Sequence, residues 1–256
     1  MYDMPSEIDV REDGPLRIIT LNRPAALNAV NDALHTGLAQ LWPRLSADHE
    51  ARAAVLTGSG RAFSAGGDYA YLEELRRDPV LRARSIAHGR DVVLGMARCR
   101  VPVVAAVNGP AVGLGCSLVA LSDIVYMAET AYLADPHVQV GLVAADGGPL
   151  TWPLHTSLLH AKEYALTGAR IPARRAAEMG LANHVVPDPL AEARQCATQI
   201  AGLARQAVES TKRLLNLHLE RAVLATLDFA TTAEEQSFQT DDFRLTVAKL
   251  TRGKAS

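Results

Sequence analysis

Two glycine-bearing turns constrain this chain more than any other feature: Phe63-Ser64-Ala65-Gly66-Gly67-Asp68 and Asn108-Gly109-Pro110-Ala111-Val112-Gly113-Leu114-Gly115-Cys116-Ser117. Each follows an apolar run, residues 53–57 and 102–107, and each leads into a stretch that reads as helix. Glycine lets the backbone approach a ligand with no side chain between them. The first turn of a helix carries N–H groups without internal partners and a partial positive charge. Two such turns, where they converge, offer two N–H donors to one oxygen that becomes negative during a reaction, which is an oxyanion hole. Taken singly, each turn reads equally well as a tight strand-to-helix connection.

A length of 256 residues fits one large domain, or one domain with an appendage. Hydrophobic residues at 48% against 21% charged allow a sizeable core. A net charge of −2 supplies no field that would recruit nucleic acid or an anionic membrane. No apolar run is long enough to span a bilayer, and the first 14 residues lack an apolar signal core. Cys99, Cys116 and Cys196 have neither metal-ligand spacing nor a disulfide framework. No metal is expected, and a reducing cytoplasm is the simplest reading.

Residues 8–10 and 16–21 read as strands around the turn Glu12-Asp13-Gly14-Pro15. Val30, Leu34, Leu38, Leu41 and Leu45 form a helical stripe over 28–45, whose last turn Pro43 is expected to kink or split. Helices are expected over 69–77 and 85–98, with the charged run up to Arg84 a mobile surface loop. A helix over 113–121 and a strand over 123–128 follow. The strand–strand–helix alternation recurs roughly every ~50 residues, which points to stacked α/β turns rather than a flat doubly wound sheet. Beyond this, helices dominate, over 160–167, 172–180, 190–219 and 220–251, with one brief strand over 181–186. No low-complexity linker intervenes. The chain divides into a catalytic core over 1–190 and a helical region over 191–256 that docks on itself or on a neighbouring subunit.

In their order and spacing these residues resemble the crotonase (enoyl-CoA hydratase/isomerase) superfamily. The likeness covers nearly the whole chain. It includes Leu21-Asn22-Arg23-Pro24 with Ala26-Leu27-Asn28-Ala29, Val55-Leu56-Thr57-Gly58, the 63–68 turn, residues 102–109, Ser122-Asp123-Ile124, Leu166-Thr167-Gly168, residues 176–181 and Thr211-Lys212. The resemblance implies an α/β fold, a crotonase-type spiral of ββα turns, followed by helices that build homotrimers, often paired into hexamers. It implies stabilisation of a thioester enolate by two backbone N–H groups, by position Gly67 and Leu114, the latter where many members carry glycine. It also implies an acyl-CoA substrate, with coenzyme A as part of that substrate and no permanently bound cofactor.

The acid/base groups depart from the family pattern. Hydratases of this family resemble one another in two glutamates, at the positions of Ser117 and His137. Neither is acidic here, so a two-carboxylate mechanism is not available; a serine hydroxyl can orient water but is no free base near neutral pH. Asp146 follows in Ala144-Ala145-Asp146-Gly147-Gly148, where most hydratases carry a small residue. Imidazole titrates near neutral pH and suits a general base. A neighbouring carboxylate fixes its tautomer and stabilises the imidazolium. The pair resembles the His/Asp arrangement of oxo-camphor hydrolase, a crotonase-fold enzyme that cleaves β-diketones with water. Pro136-His137, Gly141-Leu142-Val143, Asp146-Gly147 and Trp152-Pro153 match it, whereas that enzyme's further histidine, near Gly115, has no counterpart.

Each candidate has a plainer reading beside it. His137 reads otherwise as a hydrogen-bonded structural histidine and Asp146 as an Asp-Gly turn residue. Ser117 and Trp152 are expected to line the substrate pocket, Cys116 to pack in the core, Asp68 to cap a helix and Asp123 to be a buried structural partner. Position 25 and residues 69–71, often basic in relatives, carry no basic residue; Arg23, Arg61, Ala65 and, near the end, Lys249, Arg252 and Lys254 remain candidate coenzyme A contacts. The leading expectation is a hydratase-like enzyme acting on an acyl-CoA, with His137 oriented by Asp146. The alternatives are hydrolytic C–C cleavage of a β-diketone or β-ketoacyl compound and a non-catalytic binding protein.

Overall fold

The computed structural model describes residues 2–252, and side chains as far as residue 250. The apolar runs become strands and the 3.6-period stripes become helices. In chain order they are β1 (Ile8–Asp13), β2 (Leu16–Leu21), a 3-10 turn at Pro24–Ala26, α1 (Asp32–Ala47), β3 (Ala53–Gly58), α2 (Tyr69–Arg77), α3 (Pro79–Arg98), β4 (Val103–Val107) and β5 (Ala111–Val112). Then come α4 (Leu114–Ala120), β6 (Ile124–Ala128), β7 (Tyr132–Ala134), α5 (His137–Val140), α6 (Gly148–His155) and α7 (Leu158–Thr167). The described chain ends with β8 (Ile171–Pro172), α8 (Ala173–Glu178), β9 (His184–Val186), α9 (Pro189–Ala201), α10 (Arg205–Ser237) and α11 (Asp241–Arg252). A six-stranded sheet runs β1-β2-β3-β4-β6-β9, and a three-stranded sheet runs β5-β7-β8. In the larger sheet β1 and β2 are antiparallel and the other pairs parallel. The mixed α/β class and the helical C-terminal region agree with the sequence reading.

Parallel strands buried on both faces read as continuous apolar runs, and the period of two sorts their side chains. Ala54, Leu56, Val103, Ala105 and Val107 face one way, into a core shared with Leu34, Leu38 and Trp42 of α1 and Val92, Val93 and Met96 of α3. Ala53, Val55, Val104 and Ala106 face the other way, against Ala193, Ala197 and Ala201 of α9. Each Leu- or Val-sized side chain buried this way contributes about 1.5–3 kcal/mol. A third cluster joins Tyr71 and Leu75 of α2 to Phe238, Phe243 and Val247 near the C-terminus. It carries the last helices back over the first half of the chain.

Four expectations change. The run before Arg84 is the first turn of α3, not a mobile loop, because Asp78 caps that helix by accepting from Val80 and Leu81 N–H with Pro79 in the first turn. Buried Arg82 secures it further, bonding Glu235 at 2.8 Å and the Leu75 carbonyl at 2.9 Å. Pro43 does not split α1, which runs unbroken to Ala47 with Leu41, Trp42 and Leu45 fully buried around it. That helix starts at Asp32 rather than 28, because Leu27 and Asn28 have positive φ and Asn31 is the cap. The C-terminal helices break at residues 202–204 and 238–240 rather than at 219/220, and α10 is one 33-residue helix. Lys254 lies outside the described residues. No helix among the described residues is long and apolar enough to cross a membrane.

Candidate active site

The two glycine turns are laced together by backbone bonds. Phe63 and Ser64 N–H both donate to the Pro110 carbonyl at 3.1 and 3.0 Å, and Val112 N–H donates to Ser64 O at 2.9 Å. Residues 27–30 hold the first turn from its other side: Ala65 N–H donates to Leu27 O, Val30 N–H to Gly66 O and Asp68 N–H to Val30 O. Asn28 anchors this arrangement. It is fully buried, takes the Arg23 N–H on Oδ1, and donates to the Ser59 and Ala62 carbonyls, each at 2.9 Å. Gly66 and Gly113 have φ of +86° and +54°, a region that side chains rarely adopt. Each is in close contact with the other turn: a Cβ on Gly113 would lie 3.5 Å from Gly66 Cα.

The geometry leaves two amides unengaged. Among the described residues, neither the Gly67 N–H nor the Leu114 N–H donates to a backbone acceptor. Leu114 is the first residue of α4, where a free N–H and the positive end of the helix dipole coincide. Both residues border one cavity of about 70 Å³ together with His137, Asp146, His35 and Glu234. Its apolar wall is Val30, Leu72, Leu75, Ile86, Leu142 and Phe238.

His137 opens the single turn α5, directly after β7, and its Cε1 lies 3.6 Å from where a Gly113 Cβ would be. Its Nδ1–H donates to Asp135, not to Asp146 as expected. Asp135 is 1% exposed and also accepts the Gly148 N–H at 2.6 Å. Asp146 stands on the opposite edge of the ring, its Oδ1 3.8 Å from Nε2 and without a hydrogen-bond partner. His137 and Asp146 thus meet in the structure as the sequence suggests, but the carboxylate that hydrogen-bonds and orients the ring is Asp135. A residue two positions ahead of a histidine at a strand end shares its side of the chain, and that is the signal for Asp135.

Electrostatics follow from burial and from this crowding. Burial would push His137 down, but the charge and hydrogen bond of Asp135, with the charges of Asp146 and Glu234, raise it from 6.5 to about 10. The ring is an imidazolium near neutral pH rather than a free base. Burial likewise works against the Asp135 charge, yet the His137 charge and the hydrogen bonds hold its carboxyl below the usual range. Burial raises Asp146, with His137 opposing. Burial and the Asp146 charge raise Glu234 to about 8.

Other predicted residues fall elsewhere. Ser117 is fully buried and its hydroxyl donates to the Gly113 carbonyl at 3.2 Å; it does not line the cavity. Trp152 is also fully buried, in the main core beneath Gly148, and is no pocket wall. Arg23 is ion-paired with Asp68 at 3.2 Å and also bonds the Ala29 carbonyl. Ala65 borders a hollow of about 90 Å³ beside Gly66, Gly67 and His137. Arg61 and Lys249 are exposed, and neither borders either cavity. Asp68 caps α2 and Cys116 is buried in the core, as read from sequence, whereas Asp123, expected to be buried, stands at the surface and pairs there with buried Lys212 at 2.6 Å. A larger apolar groove of about 840 Å³ beside α10 holds none of the predicted site residues. Among the described residues no group of three or more His, Cys, Asp or Glu side chains is placed to hold a metal ion.

Sequence reasoning passed over His35 and Glu234. Both carried a signal, a titratable residue on a buried helical stripe: His35 with Leu38, Trp42 and Leu45, and Glu234 with Leu227, Ala230 and Phe238.

The structure is thus an α/β core in which two amides without backbone acceptors and a cluster of titratable side chains border one cavity, and residues 12–254 match the enoyl-CoA hydratase/isomerase family. The chain belongs to that family, and so to the crotonase superfamily. The crystal structure of an enoyl-CoA hydratase/isomerase from Mycobacterium paratuberculosis has a TM-score of 0.96 at 75% identity, covering 97% of this chain and 100% of that one. Pseudomonas aeruginosa OdaA has a TM-score of 0.85 at 27% identity, covering 96% and 99%. A probable enoyl-CoA hydratase of Mycobacterium bovis is 32% identical over 235 residues, 91% of this chain and 90% of its own length.

Proposed function

We propose that this enzyme binds an acyl-CoA, holds the thioester oxygen on the Gly67 and Leu114 N–H groups, and adds water to the acyl chain between His137 and Asp146. One observation carries the reading: an imidazole pinned by Asp135 presents its other edge to an unpartnered carboxylate 3.8 Å away, in the cavity that the two amides border. A water at about 2.8 Å from each of these atoms would be held by both.

The groups then divide the work. Asp146 takes a proton from the water as its oxygen bonds to the β-carbon of an enoyl thioester. The C=C electron pair moves to the thioester oxygen, where the two amides stabilise the enolate. His137, already an imidazolium, returns a proton to the α-carbon, and the proton on Asp146 passes to His137 to restore the resting state. This reverses the sequence expectation, in which His137 was the base. Coenzyme A is part of the substrate, and no group is held permanently. Three free cysteines agree with a cytoplasmic setting. Exposed Leu203, Leu214, Leu215, Leu224 and Phe229 support assigning the helical region 191–256 to self-association, as trimers or hexamers.

The Arg23–Asp68 pair favours a second reading, because it occupies a cation that would otherwise meet a coenzyme A phosphate. Here the same water attacks a ketone of a β-diketone or β-ketoacyl compound, and the enolate that leaves with the C–C bond electrons sits in the same hole. Purified protein is to be assayed with a short enoyl-CoA and with a cyclic β-diketone, alongside titration with coenzyme A. Slow hydration that disappears in His137→Ala supports the first reading. Diketone cleavage without coenzyme A binding supports the second, and consumption of neither substrate overturns both.

A further inference from the structure

Resting on the acyl-CoA reading above, we propose that the cavity is a hydroxyl-recognition subsite in which His35 Nε2 accepts a hydrogen bond from an alcohol carried by the acyl group beyond its β-carbon, so that hydroxylated acyl thioesters are the substrate class. His35 is 6% exposed, borders the cavity, and its Nε2 is buried without a hydrogen-bond partner. The remaining bonds of the ring orient it. Asp32, ion-paired with Arg84 at 2.7 Å, accepts the Tyr71 hydroxyl at 3.3 Å. The Ser85 hydroxyl oxygen lies 3.2 Å from His35 Nδ1, where it can accept that ring's proton. With the Nδ1–H donated to Ser85, the buried and unpartnered Nε2 keeps its lone pair for an incoming donor. Burial, with the nearby His88 charge, keeps the ring neutral by lowering it to about 4.

An acceptor selects a donor, so a ketone or an alkyl chain does not satisfy this position, whereas an alcohol does. Glu234, held protonated up to about 8, borders the same cavity and can donate to the alcohol oxygen in return. An alkyl group would leave the buried nitrogen unpaired, and sites built around a substrate hydroxyl reject analogues that lack it. Gly89 of α3 borders the same space, between the two groups: a Cβ there would lie 3.9 Å from both His35 Nε2 and Asp146 Cβ, in ordinary contact with each.

The test is calorimetric titration of the intact protein with matched saturated thioesters, butyryl-CoA against 4-hydroxybutyryl-CoA and valeryl-CoA against 5-hydroxyvaleryl-CoA. At least one hydroxylated member should bind about tenfold to a hundredfold more tightly than its partner. His35→Phe should equalise that pair, and His35→Gln, which keeps an acceptor, should retain part of the preference. Equal binding within both pairs by the unaltered protein overturns the inference and leaves the acyl-CoA reading standing. An absence of heat from every thioester overturns that reading and this inference with it. Neither result depends on a variant folding.

Discussion

Asp135→Asn removes the charge that makes His137 an imidazolium. Asp135 takes two donors, the His137 Nδ1–H and the Gly148 N–H, at a position 1% exposed. Asparagine offers one acceptor in that space and turns an amino group toward the other donor. His137 is raised from 6.5 to about 10, which at 1.36 kcal/mol per pH unit favours the folded imidazolium by about 5 kcal/mol. A folded-state pKa above the unfolded one contributes stability that is complete below 6.5 and is lost as pH rises through about 10. The variant should therefore be less stable than the parent by about 3–5 kcal/mol near pH 6. Toward pH 10 the difference should shrink to the loss of one hydrogen bond, about 1 kcal/mol. Denaturant unfolding at both pH values measures the difference, and NMR titration of the imidazole follows its pKa, which should fall by several units. A stability gap that does not change with pH, or an imidazole that still titrates near 10 in the variant, would refute the assignment of Asp135 as the group that holds the charge.

Three further outcomes follow from the same geometry. Leu114→Pro deletes one amide donor at a helix position that tolerates proline, so kcat should fall about 10²–10³-fold with the fold retained by circular dichroism, while Leu114→Ala, which keeps the N–H, should lose far less. Asp146→Asn should lower kcat about 10²–10⁴-fold. Because burial raises this carboxyl, the same variant should unfold at an equal or higher temperature than the parent above neutral pH, and a large loss of Tm would contradict a functional role. Glu234 is raised from 4.5 to about 8, so its ionisation costs stability increasingly from about 4.5 upward and in full above about 8. Glu234→Gln should therefore match the parent near pH 4.5 and exceed it by up to about 5 kcal/mol near pH 9 in denaturant unfolding.

Much of the architecture was legible because the signals are local. The runs at 53–58 and 103–107 are apolar but for Thr57 and the closing Gly58, which is how strands buried on both faces read. Helix α2 was bounded correctly by Asp68 at its start. Where local reading failed, distant contacts were deciding. The Asp78-Pro79 cap was hidden within a charged run that Arg82 draws inward to Glu235, more than 150 residues away. Pro43 is tolerated because the side chains around it are fully buried. Ser117 and Trp152 sat at plausible pocket positions, but only the direction of a side chain off α4 and α6 separates a pocket wall from the core.

The amino-acid order by itself determined the two glycine turns and the histidine that follows β7, since positive φ and free helix-start amides are properties of a few adjacent residues. Tertiary structure alone decided which carboxylate meets which edge of His137, and that His35 and Glu234 join it from helices nearly 200 residues apart in the chain. The physical reason is that charge and hydrogen-bond partnership depend on separations of a few ångströms within a desolvated space. Sequence distance carries no record of those separations.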